Sequence, residues 1–105
     1  MDAAAPPAPY RSTPIFDETT LPTALRRDHA TKEGVWGVIR VLEGALRLEF
    51  GDGTPDRRLS PGRSGLLLPA QPHRVEPLGA MRMQIDFYDE APRHSVAPAG
   101  TDAAR

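Results

Sequence analysis

Cysteine is absent from this 105-residue chain, so its chemistry rests on three histidines and a handful of carboxylates. Without thiols there is no disulfide, no cysteine nucleophile and no sulfur-ligated metal. His29 precedes the first strong strand pattern, and His73 opens a later one directly after Pro72. Two neutral imidazoles converging in a barrel would suit a divalent ion such as Zn, Fe, Mn, Cu or Ni. The plainer alternative is two separate histidines, each hydrogen-bonded at a strand end. Two imidazoles hold such an ion weakly, because structural zinc takes four ligands and catalytic zinc three. Asp86 is the candidate third ligand, on the polar side of a late alternating strand; a salt bridge to Arg40, Arg47 or Arg82 is its competing use. Glu33 and Glu43 are weaker candidates, Gln84 offers only a neutral oxygen, and His94 falls in the polar exit from the last strand.

Three further residues are candidates for a ligand pocket. Trp36 and Tyr88 could line its mouth, or be packed core or dimer interface instead. Lys32, close to His29, could hold an oxyanion or simply be exposed in a turn. Ser60 and Ser64 sit in no nucleophile elbow. Gly51-x-Gly53 lacks the third glycine and the helix of a phosphate loop.

The elements that must position these residues are short and β-like. Gly34 to Leu42 is rich in β-branched and aromatic residues, which pack well on a pleated surface. Glu43-Gly44 turns the chain. Leu46, Leu48 and Phe50 then alternate with Arg47 and Glu49, and Met81, Met83, Ile85 and Phe87 alternate with Arg82, Gln84, Asp86 and Tyr88. That period of two marks strands between two environments. Residues 51–56 read as a Gly/Pro turn cluster, Leu66-Leu67-Leu68 as a buried strand ended by Pro69, and His73 to Glu76 as another strand. Arg11 to Phe16 carries Pro14 and reads as an edge segment. Leu21 to Arg27 is open between a helical turn and an irregular strand. Six or more short strands at roughly ten-residue spacing predict an antiparallel sandwich or barrel.

The ends differ from the middle. Residues 1–9 and 93–105 are dominated by Ala, Pro, Gly, Thr and Asp; with little apolar surface to bury, both are expected to be disordered tails around one domain at 10–92. Lys and Arg number 13 against 14 Asp and Glu, a net charge of −1, so no basic field invites nucleic acid. No apolar run is long enough to span a membrane. The opening residues lack the basic-then-apolar order of a secretory signal, which makes the cytoplasm the expected location. A homodimer is expected because a domain this small has little core and open β-edges need covering, with Arg11 to Phe16 swapped or laid across the partner.

The segment HATKEGVWGVIRVLEGALRL, followed by LSPGRSGLLLPAQPHRVEP, resembles the two signature motifs of the cupin superfamily. Val41-Leu42-Glu43-Gly44 matches the turn of the first; Pro61-Gly62, Pro69 and His73 match the second. More narrowly, the chain looks like a small cupin family related to the N-terminal domain of tellurite-resistance methyltransferases. That likeness rests on Tyr10-x-x-Thr13-Pro14, on His29, Thr31, Lys32, Gly34 and Trp36, and on the closing Asp86-Phe87-Tyr88. It implies an all-β, single-domain, cupin-type double-stranded β-helix (a jelly-roll barrel). It also implies a metal- or small-ligand-binding role in stress or oxyanion response, without established turnover. The wider superfamily offers His-x-His, then Glu, then the second-motif His. Here the first pair is reduced to His29, and the Glu position falls on Gly37. Two other functions stay open: a small non-haem Fe- or Mn-dependent oxygenase or isomerase using His29, His73 and Asp86, and a domain that associates with a separate methyltransferase.

Overall fold

The structure is a computed structural model that describes residues 8–92. The expected tails therefore fall almost wholly outside the described residues, as does His94.

Eight strands and one short helix follow in order: β1 (Arg11–Ser12), β2 (Phe16–Asp17), a 3-10 helix (Thr23–Arg26), β3 (Trp36–Glu43), β4 (Leu46–Phe50), β5 (Arg57–Leu59), β6 (Gly65–Leu67), β7 (His73–Pro77) and β8 (Arg82–Tyr88). All strand pairs are antiparallel. One sheet has the order β1-β8-β3-β6, with β2 also on β8; the other has the order β5-β4-β7. Early strands thus pair with late ones, β3 with β8 and β4 with β7, which is the nesting of a jelly roll.

The two sheets share one core. Ile39, Val41, Leu67, Met83 and Ile85 come from the larger sheet, and Leu46, Leu48, Leu59 and Val75 from the smaller. Ile39, Leu46, Leu48 and Met83 have no exposed surface at all; complete burial of one such side chain contributes about 1.5–3 kcal/mol. The alternation read in β4 and β8 is what aims these residues inward. Gly44, at φ +73, makes the corner where the chain leaves β3 in one sheet for β4 in the other. Just before it, the register of β3 on β8 slips between Val41 and Glu43, a bulge that bends the strand toward the corner.

One local expectation needs correction, and two others are sharpened. The Leu66–Leu68 run is not one buried strand: β6 ends at Leu67, only Leu67 faces the core, and Leu68 is 47% exposed. The physical reason is the period of two, which sends Leu66 to the opposite face whatever its hydrophobicity. The undecided Leu21–Arg27 stretch contains the 3-10 helix. Arg11 to Phe16 is an edge, as proline requires, but it is split into β1 and β2, and both lie on β8 of the same chain.

Candidate functional site

His73 starts β7 with its side chain on the same face as Val75, inside the barrel, and is 1% exposed. Phe50 of β4 stands directly opposite it. On the other side of β7, His29 forms an isolated antiparallel bridge to it: His29 N donates to His73 O at 2.8 Å, and His73 N to His29 O at 2.7 Å. Directly opposed residues of an antiparallel pair project to the same side. The two rings meet edge to face, with centroids 5.7 Å apart and an interplanar angle of 82°. His29 is exposed, so this pair links the barrel interior to solvent at its mouth.

The loop before His73 fixes this arrangement. Ala70 adopts φ +60, and its amide donates to Thr31 O at 3.1 Å. Thr31 Oγ1 donates to Leu68 O at 3.3 Å. Gln71 is a buried strut whose side-chain oxygen accepts from Leu68 N at 3.1 Å and whose amide nitrogen donates to Asp52 at 3.0 Å. The residues flanking His29 and those leading to His73 are therefore tied together by main chain and by Thr31, while Gln71 ties the second of them to Asp52. Nothing in the sequence pattern marked Gln71; the Pro69-x-x-Pro72 frame around it was the available signal.

The protonation of His73 follows from its contacts. Its Nδ1 lies 3.0 Å from Gln71 O; a carbonyl only accepts, so Nδ1 carries the hydrogen and Nε2 keeps its lone pair. Burial pushes the His73 pKa below its ordinary value of 6.5, and proximity to His29 adds to this, against the opposing bond to Gln71. A group more easily protonated when unfolded contributes stability that is complete above pH 6.5 and is lost as pH falls toward the depressed native value. Urea midpoints are expected to fall as pH is lowered from above 6.5 to about 5, and His73→Gln should flatten that slope. A slope unchanged by the substitution would place the titration elsewhere.

Asp86 does not join the histidines. It projects from β8 on the face opposite Met83 and Ile85, where its Oδ2 accepts from Arg40 Nε at 2.6 Å and its Oδ1 from Ser12 Oγ at 2.7 Å. Burial raises its pKa, but the bonds from Arg40 and Ser12 outweigh this and leave it lowered. Trp36 and Tyr88 stand opposite each other on that same outer face, half-buried, and so lie away from the barrel mouth. Lys32 is exposed in the loop after His29. At Gly37, the position where the wider superfamily places its carboxylate, an added Cβ would lie 3.1 Å from Leu67 Cδ1; Leu67 fills that space. Among the described residues no group of three or more His, Asp or Glu is placed to hold a metal ion. The donor set present does not fit the resident metal centre of the wider superfamily.

Two facing antiparallel sheets, with the His29–His73 pair where β7 begins, define an all-β domain of the cupin type. The chain belongs to the TehB-like domain family, whose profile matches residues 11–85. It is 32% identical over 85 residues to a probable S-adenosyl-L-methionine-dependent methyltransferase, TehB, of Haemophilus influenzae. That match covers 75% of this chain, but the chain spans only 30% of the relative's length. The crystal structure of TehB from Haemophilus influenzae superposes with a TM-score of 0.70 at 29% identity, over 76% of this chain and 30% of that one. A protein of Escherichia coli K12 superposes with a TM-score of 0.73 at 21% identity, over 87% of this chain and 98% of its own. The Fe(II) form of HppE gives a TM-score of 0.54 at 19% identity, over 70% of this chain and 40% of its own. These last two share the fold. The relationship expected from the motifs is borne out at the level of the family. No helix among the described residues is long and apolar enough to cross a membrane.

Proposed function

We propose that this domain is a metal- or small-ligand-binding cupin of the tellurite-resistance-related type, without established catalysis, with the His29–His73 pair as its recognition element. The single observation that carries this reading is the buried neutral imidazole of His73, held by Gln71 O with its Nε2 uncommitted beside the exposed ring of His29. A bare imidazole nitrogen accepts a hydrogen bond from an acidic hydroxyl, and exposed Lys32 nearby in sequence supplies positive charge for the same ligand. An oxyanion that retains one hydroxyl, as tellurite does near neutral pH, has both features. A ligand arriving from solvent meets the exposed His29 first. The pair is also the only place in this reading for a weakly held divalent ion, whose remaining ligands would come from solvent or from the bound molecule.

The oxygenase or isomerase reading depends on Asp86 joining the histidines, and Asp86 is bound to Arg40 and Ser12 instead. Association with a separate methyltransferase draws its support from the TehB relatives, in which this domain is about 30% of the chain.

Titration of the whole chain with potassium tellurite, followed by imidazole NMR signals, tests the proposal. The His29 and His73 resonances are expected to move together, and His29→Ala or His73→Ala to weaken binding roughly ten-fold or more, about 1.4 kcal/mol. Tellurite that leaves both rings unmoved would reject it. Tight, stoichiometric zinc in the same experiment would favour a resident metal over a transient ligand.

A further inference from the structure

β7 is an edge strand whose outer side is only partly used. On that side His73 exchanges both its amide N–H and its carbonyl with His29. Main-chain groups of an antiparallel strand alternate between its two sides. Val75 therefore also directs its N–H and C=O away from β4, as Pro77 does its C=O. Continuing the His29–His73 bridge by two residues would set Arg27 against Val75. The chain departs there instead: Arg27 N donates to Ala24 O at 3.4 Å, closing the 3-10 helix. Among the described residues no other group takes its place on Val75.

Where the ladder fails, a cleft of about 320 Å³ opens, walled by Arg26, Glu49, Arg74 and Glu76 with Val75 at its floor. The Val75 side chain belongs to the core, on the face opposite Arg74 and Glu76. What it offers the cleft is main chain, one donor and one acceptor. Both carboxylates are committed, Glu49 to Arg74 and Arg47, and Glu76 to Arg47 at 3.1 Å. The exposed Arg26 side chain has no ion pair or hydrogen bond among the described residues. Asp28 and Asp56 add negative charge around Arg74, so the cleft as a whole has no positive surplus to draw a polyanion. Its open positions suit a neutral amide joined to a single carboxylate.

We propose that this cleft binds a small amide-bearing carboxylate of dipeptide size, an N-acyl amino acid or the C-terminal end of a peptide. The ligand's amide completes the interrupted ladder by pairing with Val75 N–H and C=O, as an added strand does. Its carboxylate pairs with Arg26, whose planar fork of donors suits that group. From Val75 to Pro77 the vacant edge runs about 7 Å at the usual rise per residue, which is room for two residues. The volume lies at the lower end for small-molecule sites. Val75 is 1% exposed, and a hidden donor and acceptor without partners are costly until something binds them. The inference does not depend on the histidine pair.

Acetyl-Ala-Ala, titrated into the isotope-labelled full chain and followed by NMR, tests the proposal. The Val75 amide signal should move downfield, and the Arg26 side-chain Nε–H should move with it. The same probe with its carboxylate replaced by a carboxamide should bind roughly ten-fold more weakly. Arg26→Gln, at an exposed position, should weaken acetyl-Ala-Ala by a similar factor and leave the carboxamide unaffected. Arg82→Gln, on the larger sheet, should change neither. Acetyl-tetraalanine should match acetyl-Ala-Ala if the natural ligand is a free dipeptide, and bind more tightly if it is the end of a protein. A Val75 amide unmoved at about 10 mM probe, movement confined to the His29 and His73 signals, or equal affinity for acid and carboxamide would each overturn the proposal.

Discussion

Gly44→Ala is expected to be among the most damaging single changes in this chain, lowering the unfolding free energy by roughly 3 kcal/mol or more. Two separate causes add. The residue sits at φ +73, a left-handed backbone that costs a side chain about 1–2 kcal/mol. A Cβ there would also press on the Ala80 carbonyl oxygen and lie 2.9 Å from Met81 Cα. Both are main chain, so no rotamer change relieves them. Gly34 has nearly the same φ, +80, but open space around its missing Cβ; Gly34→Ala should therefore show the conformational cost alone. Chemical denaturation of the two variants separates the causes. If they lose equal stability, the close approach of the β3–β4 corner to residues 80 and 81 is not as described. Against a total stability of about 5–15 kcal/mol for a domain, the Gly44 variant should melt well below the parent.

Gly37→Glu, which would restore the carboxylate of the wider cupin motif, should destabilise the protein by several kcal/mol rather than create a metal site. Gly37 faces the core from the middle of the larger sheet, and its missing Cβ already touches Leu67 Cδ1. A side chain placed there would have to displace Leu67 from the core. Pairing it with Leu67→Ala should recover part of the loss, since the second change opens room and admits water. The coupling in a double-mutant cycle is expected to be favourable and on the order of 1 kcal/mol or more. Purely additive losses would mean that Leu67 is not what closes this position. Zinc titration of the double variant gives a second readout, because a gain in affinity over the parent would show that the reduced site is limited by its missing third ligand.

The sequence carried the architecture unusually far, for a physical reason visible in particular strands. In β8, three apolar residues alternate with four polar ones, so face and register could be read without any tertiary information. Gly44 and the 51–56 cluster marked corners because few other residues accept those backbones. Leu66–Leu68 misled because a run of one residue type hides its alternation. The convergence of His29 and His73 came from the resemblance to cupin motifs rather than from spacing, since residues so far apart in the chain meet only through the pairing of sheets. Asp86 was open between two uses, and the choice depended on which face of β8 the barrel encloses. Arg40, across the β3–β8 register, settles it. Gln71 was out of reach because its role is defined by the loop that it braces.

The double amide link between residues 29 and 73 uses no side-chain atom. The two positions are therefore a main-chain platform whose spacing outlasts exchange of what is mounted on it. Thiols, carboxylates or amides introduced there as a pair would inherit the separation now set for two imidazoles, so the chemical taste of this mouth can be rewritten without redrawing the scaffold beneath it.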